Sequence, residues 1–498
     1  MKQSEKPAHL AQHPPLRDWQ QRCLTKALAQ LSPEQLHFLC QATPGAGKML
    51  MAAVLANYLL QRGEVDFVLY LGPSCEVVRR AEETLADVTG LAVDGELGAR
   101  GGCYTYQSLR TRIHALQQLG AKYRVLLVWN ESHHAGRVAG AQKGANEWGQ
   151  ALLLLERYMT YTLALSGTPW RTDGSCLPLL RYLDIPADED LPLKQRLVPD
   201  FVYTLQEAVR DGVCRLPYIK LIDNRHIELT ISHAKGKQRP KQKQFSSIPR
   251  LLRHLGISYA DLLRHETAME AQLTKGVRQL NVLRKSQPGA GGGLVVASDI
   301  EHAEEITQWL VDQGEDVCLV TSKTPNAHSK LQAFRDSVQA WIVSVGMISE
   351  GVDIPRLRVC CYLSHIRTEQ HFRQVLGRII RRIGLHDADC YLFMLNESLL
   401  RHYAHRIADD LPDEKAVVTV VSPASAPDVH GYGNTALGVQ LDNITLPAAE
   451  TVGEAGTVVF GGSSITAAAN SGAKPQPQWE HDMAFSQRFI EHLATLKL

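Results

Sequence analysis

The sequence predicts an α/β protein made of two tandem halves, each a parallel sheet flanked by helices. Three observations carry that prediction. Short, nearly continuous apolar runs alternate with helical patterns along the 498 residues, as expected of parallel strands covered on both faces. The plan occurs twice along the chain. Polar and glycine-bearing motifs fall just after the apolar runs, at the carboxyl ends of strands, where open α/β sheets bind ligands.

In the first half the predicted strands are Leu36–Gln41, Phe67–Gly72, Val125–Asn130 and Leu163–Ser166. The second half repeats the plan with Leu294–Ser298, Val317–Thr321, Trp341–Val345, Val359–Leu363 and Cys390–Leu395. Between them, Lys235, Lys237, Arg239, Lys241 and Lys243 form a basic run without an acid. A helical pattern follows through Leu251, Leu252, Leu255, Leu262 and Leu263, and Pro288–Gly293 has the composition of a flexible hinge. After about residue 415 the composition turns to Ala, Gly, Ser, Thr and Pro, which predicts a flexible tail without a large core. The tail ends in an expected amphipathic helix, Met483 to Leu498, with Phe485, Phe489, Ile490 and Leu493 on one face. The expected division is a first sheet domain over 1–215, a basic helical insert and hinge over 216–290, a second sheet domain over 291–414 and a low-complexity tail over 415–498.

Bulk properties bound the function. Lys and Arg number 53 and Asp and Glu 52, for a formal charge of +1, so a polyanion would meet a local patch and not a global field. The ten cysteines form no C-x-x-C pair, which argues against zinc and against a disulfide framework and fits a reducing compartment. Met1-Lys2-Gln3-Ser4 has no apolar core of signal-peptide type, and no apolar run reaches the ~18 residues of a membrane span. A soluble, cytoplasmic protein without a membrane partner is the expectation.

The motifs come in one order. Ala42-Thr43-Pro44-Gly45-Ala46-Gly47-Lys48 lies between a strand and a helix, so its glycines let backbone approach phosphates and the helix offers N-terminal amides. Asn130-Glu131-Ser132-His133 and Ser166-Gly167-Thr168-Pro169-Trp170-Arg171 each end an apolar run. Gly346-Met347-Ile348-Ser349-Glu350-Gly351-Val352-Asp353 follows in the second half. Last, Gln374, Gly377, Arg378 and Arg381 fit the pattern Q-x-x-G-R-x-x-R, with 374, 378 and 381 on one face if the segment is helical. Guanidinium groups there could clamp a phosphate. Asp413-Glu414-Lys415 has no partner acids, so no nuclease is predicted.

The ordered set resembles superfamily 2 helicases of the DEAD/DEAH type, in the helicase and restriction-subunit branch, over roughly residues 14–410. The resemblance implies two RecA-like domains with ATP and Mg2+ in the cleft between them. It puts Thr43, Gly45, Ala46, Gly47, Lys48 and Met49 on the phosphates, with Lys48 at the β- and γ-phosphates. Asp353 would lie near the ribose or the bridging water, with Gly351 letting the backbone approach closely, and Arg17 and Gln20, in Leu16-Arg17-Asp18-Trp19-Gln20, would lie near the adenine. Asn130 and Glu131 would serve the metal, with Glu131 also orienting the attacking water. His133, Ser166, Thr168 and Gln374 would couple nucleotide state to the nucleic-acid track. Arg378 and Arg381 would be arginine fingers reaching across the cleft. Pro73, Ser74, Thr105 and Gln107 in the first domain, and Ser298 and Thr321 in the second, would contact the nucleic-acid backbone. The implied partner is DNA in preference to RNA, with a restriction or repair subunit as a further partner.

Two positions depart from that family, and both concern the metal. The residue after the lysine is usually Ser or Thr, whose hydroxyl binds magnesium; here it is Met49, a soft thioether. The second motif usually begins with Asp; here Asn130 keeps an amide oxygen but no charge. The expectation is an ATP-dependent motor with weakened hydrolysis, since Glu131 and both arginines survive. The rival readings are an ATP-gated clamp that does not hydrolyse and a motor subunit whose nuclease is another chain.

Overall fold

A computed structural model describes residues 15–131, 147–169, 177, 179–185, 194–233, 241–254, 257–286, 291–346, 354–384, 387–409, 411, 417–422, 444–445, 454–460 and 463–466. The chain falls into two compact units that change over between Asp211 and Gly212.

The first unit contains the strands β1 (His37–Ala42), β2 (Phe67–Gly72), β3 (Gly101–Thr105), β4 (Val125–Asn130), β5 (Tyr161–Ser166), β6 (Tyr182–Ile185), β7 (Lys194–Leu197) and β8 (Phe201–Tyr203). Its helices are α1 (Asp18–Gln30), α2 (Lys48–Gln61), α3 (Cys75–Thr89), α4 (Tyr106–Lys122), α5 (Glu147–Glu156) and α6 (Leu205–Arg210). Six strands form one sheet in the order β3-β2-β4-β5-β1-β8, parallel throughout, while β6 and β7 pair apart as a hairpin. The central strands are apolar on both faces because helices cover both: β5 is buried along its whole length, and β4 is buried up to Asn130. α2 is buried continuously from Met51 to Leu55, so it is a core helix and not an amphipathic one. α3 buries only Val78, Ala81, Leu85 and Val88. It starts at Ser74, whose hydroxyl accepts from the Val77 amide, and stops at Gly90 in the left-handed region. Trp129, Leu109, Leu116, Leu152 and Leu155 share the core beneath α4 and α5.

The second unit adds β9 (Leu216–Ile222), β10 (Ile227–His233), β11 (Lys241–Phe245), β12 (Gly292–Val296), β13 (Val317–Val320), β14 (Trp341–Ser344), β15 (Leu357–Tyr362), β16 (Asp389–Leu395), β17 (Val418–Val421), β18 (Ile444–Thr445), β19 (Glu454–Phe460) and β20 (Ser463–Thr466). Its helices are α7 (Ile248–Leu251), α8 (Tyr259–Arg264), α9 (Glu266–Ser286), α10 (Ile300–Asp312), α11 (Ala327–Asp336), α12 (Glu369–Ile379) and α13 (Ser398–Ala408). Seven strands make a second parallel sheet, β13-β14-β12-β15-β16-β9-β17. The two sheets are the tandem α/β plan predicted from the apolar runs.

The stretch expected to be an insert, 216–290, supplies this sheet. β9 lies between β16 and β17, and α9 packs on β12, β15 and β16. Part of the expected hinge is strand: Gly292 and Gly293 are buried in β12, and a Cβ on Gly293 would meet the Trp341 ring at 2.2 Å. That glycine serves close packing, not flexibility. Part of the expected tail is also strand. β17 completes the seven-stranded sheet, and β18–β20 join the β10–β11 hairpin in a separate sheet. Their β-branched stretches, Val417–Val421 and Thr457–Val459, suit that pairing. Lys235, Lys237 and Arg239, residues 287–290 and the expected terminal helix lie outside the described residues, as do His133, Gly351 and Asp353.

Candidate nucleotide site

Sheet order brings three motifs of the first unit together. β5 lies between β4 and β1, with Gln41 beside Ser166 and Asn130 beside Leu165. The chain segments leaving β1, β5 and β4 therefore emerge side by side at the carboxyl edge, where ligands bind in such sheets.

The phosphate loop leaves β1 here. Gly45 and Gly47 have φ of 81° and 91°, a region that L side chains avoid. A Cβ on Gly47 would also press on Arg17 and Gln20, at 3.2 Å each. The Thr43 amide donates to the Tyr203 carbonyl at 3.0 Å, and Lys48 Nζ reaches the Ala42 carbonyl at 2.9 Å. Gly167 closes the other side, since a Cβ there would meet Pro44 Cδ at 2.9 Å. Ser166 is fully buried and its hydroxyl accepts from the Thr168 amide, so this pair fixes the turn beside the loop.

α1 braces the loop from the other direction. Trp19 is buried and stacks on Tyr203, centroids 4.8 Å apart, which docks the helix against β8. Arg17 Nη1 then donates to the Ala46 carbonyl at 2.6 Å, and Gln20 Nε2 to the Gly47 carbonyl at 2.8 Å. Gln20 Oε1 accepts from the Arg17 amide at 2.8 Å, and the residue is 2% exposed. The two residues expected at the adenine thus hold the loop itself.

At the end of β4, Glu131 has φ 56° and its amide donates to the Leu165 carbonyl at 2.8 Å. A non-glycine residue in this region costs about 1 kcal/mol or more, so the surrounding hydrogen bonds over-determine it. The Asn130 carbonyl accepts from the Tyr106 hydroxyl at 2.7 Å.

The site fits a nucleoside triphosphate: left-handed glycines, a helix N-terminus and a lysine converge on one concave loop. Magnesium meets fewer protein donors. Met49 is half-buried and offers sulfur, which leaves the Asn130 amide oxygen and the Glu131 carboxylate. Among the described residues no group of three or more His, Cys, Asp or Glu could hold a metal.

Other expected residues are distributed as follows. Ser74 caps α3 and Thr105 caps α4, accepting from the Val77 and Ser108 amides; Pro73 is half-buried and Gln107 exposed. Ser298 and Thr321 of the second unit are buried, Ser298 donating to the Leu363 carbonyl at 2.7 Å and Thr321 paired with Thr324. Gln374 and Arg378 are one turn apart on α12. Arg381 does not share that face. The helix ends at Ile379, Ile380 caps it, and Arg381 forms a bridge with Cys214.

Sequence reasoning missed what fixes that helix end. Arg215 is fully buried and donates to the Leu357, Ile379 and Pro355 carbonyls at 2.6, 2.7 and 2.8 Å, with an ion pair to Asp387. A cation at a helix C-terminus is favoured by the dipole. It missed Asp200 likewise, which accepts from the Leu39 amide and the Gln35 side chain and pairs with Arg181, tying the start of β1 to the approach of β8. The only local signal for either was a charge beside an apolar run.

Phosphate loop, acidic strand end and Ser-Gly-Thr turn on one parallel sheet, followed by a second such sheet, define a phosphate-loop α/β fold of two sheet domains. Residues 13–171 match the family model for the type III restriction enzyme, res subunit. The chain is 30% identical over 382 residues to an uncharacterised protein of Mycobacterium tuberculosis, covering 74% of this chain and 59% of that relative. It is 22% identical over 363 residues to a protein provisionally named helicase 22 of Sulfolobus islandicus filamentous virus, covering 69% of this chain and 57% of the relative. The chain therefore spans less than two thirds of these relatives. Among solved structures, a fragment of an HsdR subunit of a type I restriction enzyme from Vibrio vulnificus has a TM-score of 0.55 at 15% identity, covering 83% of this chain and 70% of that one. The type ISP restriction-modification enzyme LlaBIII bound to DNA has a TM-score of 0.54 at 16% identity, covering 84% and 32%. Residues 13–171 thus match the restriction-subunit family, and the two parallel sheets have the tandem RecA-like fold of these solved structures.

Proposed function

We propose that the protein is an ATP-dependent motor on DNA, with slow hydrolysis set by its metal donors. The observation that carries this reading is the convergence of the phosphate loop, Asn130–Glu131 and Ser166–Thr168 at one sheet edge. The loop amides and Lys48 bind the triphosphate. Glu131 orients the attacking water, and Arg378 and Arg381 supply γ-phosphate charge stabilisation. Magnesium, carried on the nucleotide, would be held by Asn130 and Glu131 and would screen phosphate charge. Pro73, Ser74, Thr105 and Gln107 hold the strand through its phosphates, which gives affinity without sequence reading. DNA is favoured over RNA because LlaBIII, of the same fold, is bound to DNA. A companion restriction subunit is part of the proposal, motivated by the matched res-subunit model.

Met49 and Asn130 favour a second reading, an ATP-gated clamp that barely turns over. Phosphate release at saturating magnesium, with and without single-stranded DNA, separates the two. DNA-stimulated release abolished by Lys48→Ala supports the motor. ATP binding that alters DNA affinity without release supports the clamp. Neither effect would refute both.

A further inference from the structure

Two buried phenols meet at Asn130. Tyr106, the first residue of α4, is 1% exposed, and its hydroxyl donates to the Asn130 carbonyl at 2.7 Å. Tyr70, inside β2 and also 1% exposed, engages the Asn130 side chain.

Their positions in the chain give the arrangement meaning. Tyr106 stands between Thr105 and Gln107, and Tyr70 lies three residues before Pro73, in the strand β2 that leads to it. Both segments proposed to hold the nucleic-acid strand therefore place a hydroxyl on the residue before Glu131. The first link is short and stiff: Thr105 caps α4, Gln107 is exposed on the same turn, and Tyr106 is locked in the core beneath them. From Asn130 the chain passes directly to Glu131, held at φ 56°. The Tyr106 bond uses the backbone carbonyl, which any residue at 130 would offer, while the Asn130 side chain meets Tyr70.

We propose that Tyr106 is a positioning residue that transmits strand engagement at the start of α4, through the Asn130 carbonyl, to the Glu131 carboxylate, with Tyr70 as the parallel link from the 73–74 turn. The inference rests on reading these segments as strand contacts. Coupling is reciprocal, so nucleotide state should reach the strand by the same bond.

The test is Tyr106→Phe, which keeps the ring and removes the hydroxyl. Affinity for a single-stranded oligonucleotide is measured with and without a saturating non-hydrolysable ATP analogue, and the ratio is the coupling factor; thermal unfolding is followed in parallel. Each ligand alone should bind with near wild-type affinity while the coupling factor falls about fivefold, what one net buried hydrogen bond amounts to. Tyr70→Phe should move it in the same direction and carries the test if Tyr106→Phe does not fold. Wild-type coupling in a folded Tyr106→Phe protein overturns the inference alone. A wild type whose strand affinity ignores the nucleotide overturns this inference, and the proposed function falls with it only if the strand also fails to stimulate phosphate release.

Discussion

Gln20→Ala separates two roles for one residue. By resemblance Gln20 reads the adenine; in the structure its amide nitrogen holds the Gly47 carbonyl and its oxygen holds the Arg17 amide, both at 2.8 Å. A net hydrogen bond contributes about 1 kcal/mol, so the brace is worth about 2 kcal/mol if both bonds act on the bound loop and about 1 kcal/mol if only the Gly47 bond does. At ~1.4 kcal/mol per decade this predicts nucleotide affinity weakened by about 5- to 30-fold. The loss should not depend on the base, because the Gly47 carbonyl belongs to the phosphate loop. The assay is equilibrium titration of wild type and Gln20→Ala with fluorescent ATP and GTP analogues. Equal losses for the two nucleotides are expected. Loss of ATP affinity with GTP affinity unchanged would refute the brace and restore adenine reading.

Three further outcomes are expected. Met49→Thr combined with Asn130→Asp should raise magnesium-dependent turnover, because hard oxygen donors and a charge return to the metal; turnover no faster than wild type at saturating magnesium counts against the metal explanation. Arg215→Met should destabilise the second unit by about 3 kcal/mol, the cost of leaving the Leu357, Ile379 and Pro355 carbonyls without their donor while Asp387 keeps Arg358, read by urea unfolding; a loss too small to measure would mean the cluster relaxes. Burial pushes His302 down to about 4, and its Nδ1 accepts from the Ser298 amide, so the fold holds the neutral ring. That stability is present above pH 6.5 and is lost as pH falls toward 4, on the order of 2 kcal/mol by pH 5. His302→Gln should flatten the decline between pH 7 and 5, and an unchanged slope would exclude His302 as its source.

What the sequence determined by itself is local. β2 and β4 coincide with the apolar runs Phe67–Gly72 and Val125–Asn130, because a strand buried on both faces writes its burial into consecutive residues. The phosphate loop was legible for the same reason: glycine, lysine and flanking elements are contiguous. β3 was missed because Gly101-Gly102-Cys103-Tyr104-Thr105 carries little apolar signal, and its strand state comes from pairing with β2. Tertiary structure alone decided the rest. β9 belongs to the second sheet because β16, more than a hundred residues later, pairs with it along Leu216–Ile222, and no local pattern encodes a partner that distant. Arg381 leaves the α12 face because the helix stops two residues earlier, with Arg215 from the far side of the sequence holding the Ile379 carbonyl. Gln20 turns onto Gly47 because the Trp19–Tyr203 stack sets where α1 lies. In each case residue type was readable from the chain, while its partner was fixed by packing between segments that only the folded sheets bring together.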